Sequence, residues 1–182
     1  MITKIALFLY INVKRKFITL FLILVIPLIG IAQSVSSRYS GRMTQDGMCY
    51  FFRNMKLSET EGIKGFCYDM TYLDWTDSVT VNFSIIADKP EAPKMLTIIS
   101  GDSTFVCDNL KCLFVDVLRK GYEIRMSSSF PEKAIRKMIE TSSAPIFLVK
   151  FKDDVTATYS KSSWKKDSKK LQMIFQMIDV VK

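Results

Sequence analysis

The chain has 182 residues, with 26 Lys and Arg against 18 Asp and Glu, four Cys and no His. Its length suits one ordinary domain, and an apolar share of 48% beside 24% charge excludes a chain too polar to bury a core. The lack of histidine removes Ser-His-Asp and Cys-His catalysis and every His-ligated metal site.

Residues 1–32 carry Lys4, Lys14, Arg15 and Lys16 and no acid, so they hold half of the net charge of +8. After Arg15 and Lys16 comes an apolar run, Phe17 to Ile29, followed by Gly30, Ile31 and Ala32. A basic start, an apolar stretch and small residues before a cut are the marks of a secretory signal peptide, here cleaved after Ala32 to leave Gln33 first. An uncleaved anchor is the rival, but a helix over Phe17 to Ala32 rises roughly 24 Å, short of a hydrocarbon core of about 30 Å. The apolar residues Ile5 to Ile11 lengthen the basic region unusually, which suggests a start of translation at Val13. Residues 33–44 read as a flexible tether and 45–182 as a single α+β domain.

Within that domain the alternation of apolar and polar residues predicts short strands. Met48 to Arg53 comes first, then the polar turn Leu57 to Gly62 and a strand over Ile63 to Tyr72. Val79, Val81, Phe83 and Ile85 share one face of the next. Met95 to Ser100, Phe105 to Cys107 and Cys112 to Leu118 follow, then Tyr122 to Met126, Phe147 to Phe151 and Val155 to Ser160. Their close spacing implies antiparallel pairing, since parallel crossovers need a dozen or more residues. Ser129-Phe130-Pro131-Glu132 resembles a capping box, after which Ala134, Ile135, Met138 and Ile139 recur at helical spacing. In the last segment Trp164, Leu171, Ile174, Phe175 and Ile178 fall on one helix face. The expected fold is therefore α+β: an antiparallel sheet or sandwich of about eight short strands, with helices over about 131–141 and 163–180 packed on it.

Four cysteines behind an export signal suggest two disulfides in an oxidising compartment. Cys107 and Cys112 flank the turn-like Asp108-Asn109-Leu110-Lys111, and Cys49 and Cys67 bracket the turn at residues 57–62. Hairpins at both places would bring each pair within disulfide reach, so Cys49 with Cys67 and Cys107 with Cys112 are the favoured pairings. Neither pair has the C-x-x-C spacing of zinc ribbons or of redox pairs, and free buried thiols are the plain alternative.

Few constellations point to chemistry. Ser162-Ser163-Trp164-Lys165-Lys166 contains S-x-x-K twice, the spacing of a serine nucleophile with a lysine base, but no S-D-N or K-T-G element accompanies it. An N-cap serine before solvated lysines accounts for the same letters. Asp69, Asp74 and Asp77, and again Asp153 and Asp154, gather carboxylates without the pattern of a calcium loop, and turn-forming acids explain them. Neither a metal nor another cofactor is expected.

Two candidate binding surfaces remain. Tyr50, Phe52, Tyr68, Tyr72 and Trp75 cluster in the first hairpin, where alternation would leave some of the rings outside. Lys161, Lys165, Lys166, Lys169 and Lys170 give the last helix a basic face suited to phosphate, an anionic glycan or lipid head groups. The net +4 of the exported part argues against nucleic acid. The sequence thus points to a small exported protein of a bacterial envelope, periplasmic or secreted, that binds or builds rather than catalyses. A carboxylate or Ser-Lys hydrolase or transferase, and an anchored accessory subunit of an envelope complex, are the alternatives.

Overall fold

The structure is a computed structural model that describes residues 37–181. The leader, the cut after Ala32, the start at Val13 and residues 33–36 of the tether lie outside the described residues. Eleven strands and two helices are formed among the described residues, in two antiparallel sheets.

The larger sheet has six strands: β1 (Tyr39–Met43), β2 (Met48–Lys56), β4 (Gly65–Leu73), β5 (Ser78–Ala87), β9 (Gly121–Pro131) and β8 (Lys111–Leu118), in that spatial order. The smaller sheet runs β3 (Glu59–Glu61), β11 (Asp154–Thr158), β10 (Ile146–Lys150), β6 (Met95–Ser100) and β7 (Ser103–Cys107). Helix α1 spans Glu132–Glu140 and α2 spans Lys161–Val181. No helix among the described residues is long and apolar enough to cross a membrane.

Strict alternation on β4 buries Phe66, Tyr68, Met70 and Tyr72, and on β5 it buries Val79, Val81, Phe83 and Ile85. These side chains form the inner face of the larger sheet. One end of that face meets the smaller sheet, where the Phe147 ring lies 5.4 Å from Phe66 and 4.9 Å from Tyr68. The other end meets α2, whose Phe175 ring lies 5.3 Å from Phe52 and 5.8 Å from Tyr72. The expected helical stripes are buried as well, Ala134, Ile135, Met138 and Ile139 on α1 and Trp164, Leu171, Ile174, Phe175 and Ile178 on α2. Arg136 ties the helices together: it pairs with Glu132 at 2.6 Å and with Asp179 at 2.6 Å, over the Phe175 ring.

Several expectations need correction. Residues 39–43 of the segment read as a tether form β1, paired with Met48–Phe52, and the polar turn at 57–62 contributes β3. The strand count therefore rises above eight. Ser129 lies in β9 opposite Thr80, so no capping box forms; Pro131 stands at the N-cap without a side-chain bond. Glu132 instead accepts from the Tyr72 hydroxyl at 2.9 Å, and its own amide donates to the Asp77 carbonyl at 2.8 Å. Helix α2 starts earlier than expected, at Lys161, because Ser160 caps it.

The disulfide expectation also fails on geometry. Cys49 stands opposite Leu73 while Cys67 stands opposite Lys56, at the far end of the same strand pair and about 20 Å away at the usual rise per residue. Cys107 and Cys112 do not flank a hairpin either, because β7 and β8 belong to different sheets. All four thiols are free, and burial raises the Cys49 thiol above its ordinary range against the opposing pull of Arg42.

Glycine is required at two turns. Gly121, the first residue of β9 at its turn from β8, has φ +128°, and a Cβ there would run into the Ala87 carbonyl oxygen. Gly47, between β1 and β2, has φ +144° and leaves room for Asp74 and the Trp75 ring.

Candidate functional site: a lysine-lined cleft

The two surfaces expected from sequence are rearranged by the fold. Tyr50, Phe52, Tyr68 and Tyr72 are all core residues, at most 6% exposed, and only Trp75, in the turn after β4, reaches solvent. An aromatic groove is therefore not formed by these rings. The reason lies in strand phase. Even-numbered aromatics of β2 and β4 point inward together, and the ring left outside on β2 is Phe51.

The lysines do not form one face. At about 100° per residue, Lys165 and Lys170 project roughly 140° apart around α2. Lys166 and Lys170 belong to the flank of α2 that faces Arg38, which pairs with Asp167 at 3.2 Å. Partial burial, then Arg38 and Lys166, lower the Lys170 ammonium below the ordinary lysine range. Lys161, Lys165 and Lys169 fall on the other flank, where each successive lysine is one turn further along.

That second flank forms one wall of a cleft of about 950 Å³. The facing wall is the hydroxyl-rich loop Thr141–Ala144 after α1, with Ile146 at the start of β10 and Thr158 at the end of β11. Hydrogen bonds hold the walls in place. Trp164 Nε1 donates to the Thr141 carbonyl at 3.1 Å, and Gln172 Nε2 donates to the Ile139 carbonyl at 2.9 Å. Thr141 Oγ1 closes the end of α1 on the Lys137 carbonyl at 2.8 Å, and Thr158 Oγ1 donates to the Pro145 carbonyl at 2.8 Å. Glu59 and Glu140 also line the cleft, so its three ammonium groups exceed its carboxylates by one charge. Ala144, Ile146 and Tyr159 supply apolar surface between the polar walls.

The remaining candidates are scattered. Ser162 and Ser163 belong to the helix cap. The Ser160 hydroxyl donates to Ser163 Oγ at 2.9 Å and accepts from the Ser163 amide at 3.4 Å, and it lies 3.4 Å from Ser162 Oγ. Asp69 sits on the outer face of the larger sheet, paired with Arg125 and accepting from Asn82 Nδ2 at 3.1 Å, while Arg125 also donates to Ser84 Oγ at 3.1 Å. Asp74 accepts from the Met48 amide at 3.1 Å in a turn, and the Asp77 carbonyl accepts from the Glu132 amide at the start of α1. Asp153 lines a smaller pocket of about 220 Å³ with Asp88 and Glu91, and Asp154 opens β11. Among the described residues no three His, Cys, Asp or Glu side chains are placed to hold a metal ion.

Sequence reasoning missed the Thr141-Ser142-Ser143-Ala144-Pro145 loop. Its signal was present, a run of hydroxyl residues before a proline between a helix and a strand. Its position opposite Lys165 is set by tertiary packing alone.

Compared with protein families, with curated proteins and with solved structures, the chain matches none.

Proposed function

We propose that the protein is an exported, non-catalytic binding protein of a bacterial envelope, and that the cleft beside α2 takes an acidic glycan. One observation carries this reading: Lys161, Lys165 and Lys169 stand one helical turn apart across from the hydroxyls of Thr141, Ser142 and Ser143. Repeated cations match carboxylates spaced along a sugar chain, hydroxyls match sugar hydroxyls, and the apolar strip formed by Ala144 and Ile146 suits the face of a sugar ring. The open shape of a cleft between a loop and a helix suits an extended chain more than a small enclosed substrate.

Titration calorimetry with polygalacturonate tests the site. Binding is expected at low salt, to weaken as salt rises, and to be absent with neutral dextran. Lys165→Glu with Lys169→Glu should weaken it at least tenfold, because two attractions become repulsions, while the melting temperature stays nearly unchanged at these exposed positions. Lack of binding by the wild type would remove the glycan reading.

Export rests on the basic start and apolar run of residues 1–32. Amino-terminal sequencing of protein secreted by a bacterial host should begin at Gln33. Recovery of the protein only in the cytosol, with its first residues intact, would overturn export.

A further inference from the structure

Strand β8 is an edge strand of the larger sheet, and all eight of its residues are exposed. Leu113, Phe114, Val115, Val117 and Leu118 are among them, Val117 at 80%. Edge strands ordinarily avoid this combination of length and apolar side chains, since an open row of N–H and C=O groups invites another strand. The three-residue link Asp108–Leu110 leads back to β7, the edge of the smaller sheet, whose Val106 is also exposed.

The charges on β8 say which strand fits. In its ladder with β9 the register shifts between Cys112 and Phe114, so that Cys112 and Leu113 together occupy one place. Lys111, Phe114 and Asp116 consequently share the sheet's outer face, opposite Ser127, Arg125 and Glu123 of β9. When a second β8 is laid antiparallel about a two-fold axis at Phe114, and the same bulge is counted, Phe114 meets its own counterpart. Val115 meets the Cys112–Leu113 bulge, and Asp116 meets Lys111. The two-fold repeats this ion pair, and just beyond the strand Asp108 comes opposite Arg119. Asp116 otherwise stands beside Glu123, a like charge, so a partner's Lys111 also relieves that repulsion.

We infer that the protein self-associates through β8, pairing it antiparallel with β8 of a second copy and joining two six-stranded sheets into one of twelve. The interface is isologous, so each contact occurs twice.

Sedimentation of the full chain, as recovered from cells, tests this. The wild type should be dimeric at about 100 µM, and Asp116→Lys should weaken the dimer at least tenfold by setting Lys against Lys. Lys111→Asp should do the same by setting Asp against Asp. The double variant Lys111→Asp with Asp116→Lys should restore the dimer, which a merely structural effect of either substitution would not do. Circular dichroism checks that each variant is folded. A monomeric wild type, a dimer indifferent to Asp116→Lys, or a double variant as weak as the single ones would each overturn the inference.

Discussion

Phe147→Ala is expected to lower the unfolding free energy by about 3–5 kcal/mol, the cost of removing a fully buried phenylalanine ring and leaving a cavity. Phe147 lies on β10 with no exposed surface and touches both Phe66 and Tyr68 across the gap between the sheets. Phe147 is therefore one of the rings through which the smaller sheet docks on the larger one. The control is Phe51→Ala, on the outward side of β2 and 42% exposed, which should cost no more than about 0.5 kcal/mol. Urea denaturation monitored by circular dichroism compares the two. Equal small losses would mean that the sheets are not held together at Phe147.

Above pH 10 the protein is expected to lose stability steeply. The Tyr159 hydroxyl donates to the Tyr68 hydroxyl at 2.9 Å, and both rings are buried. Burial is the leading cause that raises both phenols above their ordinary value; for Tyr159 the neighbouring Tyr68 oxygen adds to it, whereas for Tyr68 the bond from Tyr159 opposes it. The folded state thus keeps two protons that the unfolded chain releases near pH 10. The stability this confers is fully present below that pH and falls as pH rises through it, by up to about 1.4 kcal/mol per pH unit for each tyrosine. Tyr159→Phe should remove one tyrosine's share of the slope and cost about 1 kcal/mol at pH 8 through the lost hydrogen bond. Urea midpoints between pH 8 and 11 give the measurement, and an unchanged slope in the variant would show that the pair is not the source.

Local patterns were legible wherever burial follows chain periodicity. The alternation of β5 named Val79, Val81, Phe83 and Ile85 as one face, and the helical spacings of α1 and α2 named their buried stripes. What failed required knowledge of the partner strand. Glu59–Glu61 looks like a turn because its three polar residues carry no pattern, yet β11 supplies a neighbour. The disulfide pairings assumed close hairpins, whereas β7 and β8 part to separate sheets and the register of β2 on β4 sets Cys49 and Cys67 at opposite ends of the pair. The lysine run was legible as a charged helix, but the side of α2 on which each ammonium falls relative to Arg38 or to the Thr141–Ala144 loop is a tertiary fact. Half of the cleft was therefore visible in sequence, and its hydroxyl wall was not.

The pairing of β3 with β11 sets an order of events for the chain as it is made. Thr60 must wait for Ala157, and Ser58 accepts a bond from the Ser160 amide 102 positions downstream. A high contact order of this kind slows folding, because a long loop has to close before its contacts repay the entropy. While the chain is still emerging, the Phe66 and Tyr68 rings of β4 lack Phe147, and Tyr68 also lacks Tyr159. Until its last third has appeared, the polypeptide presents a sticky aromatic sheet that a chaperone would have reason to hold.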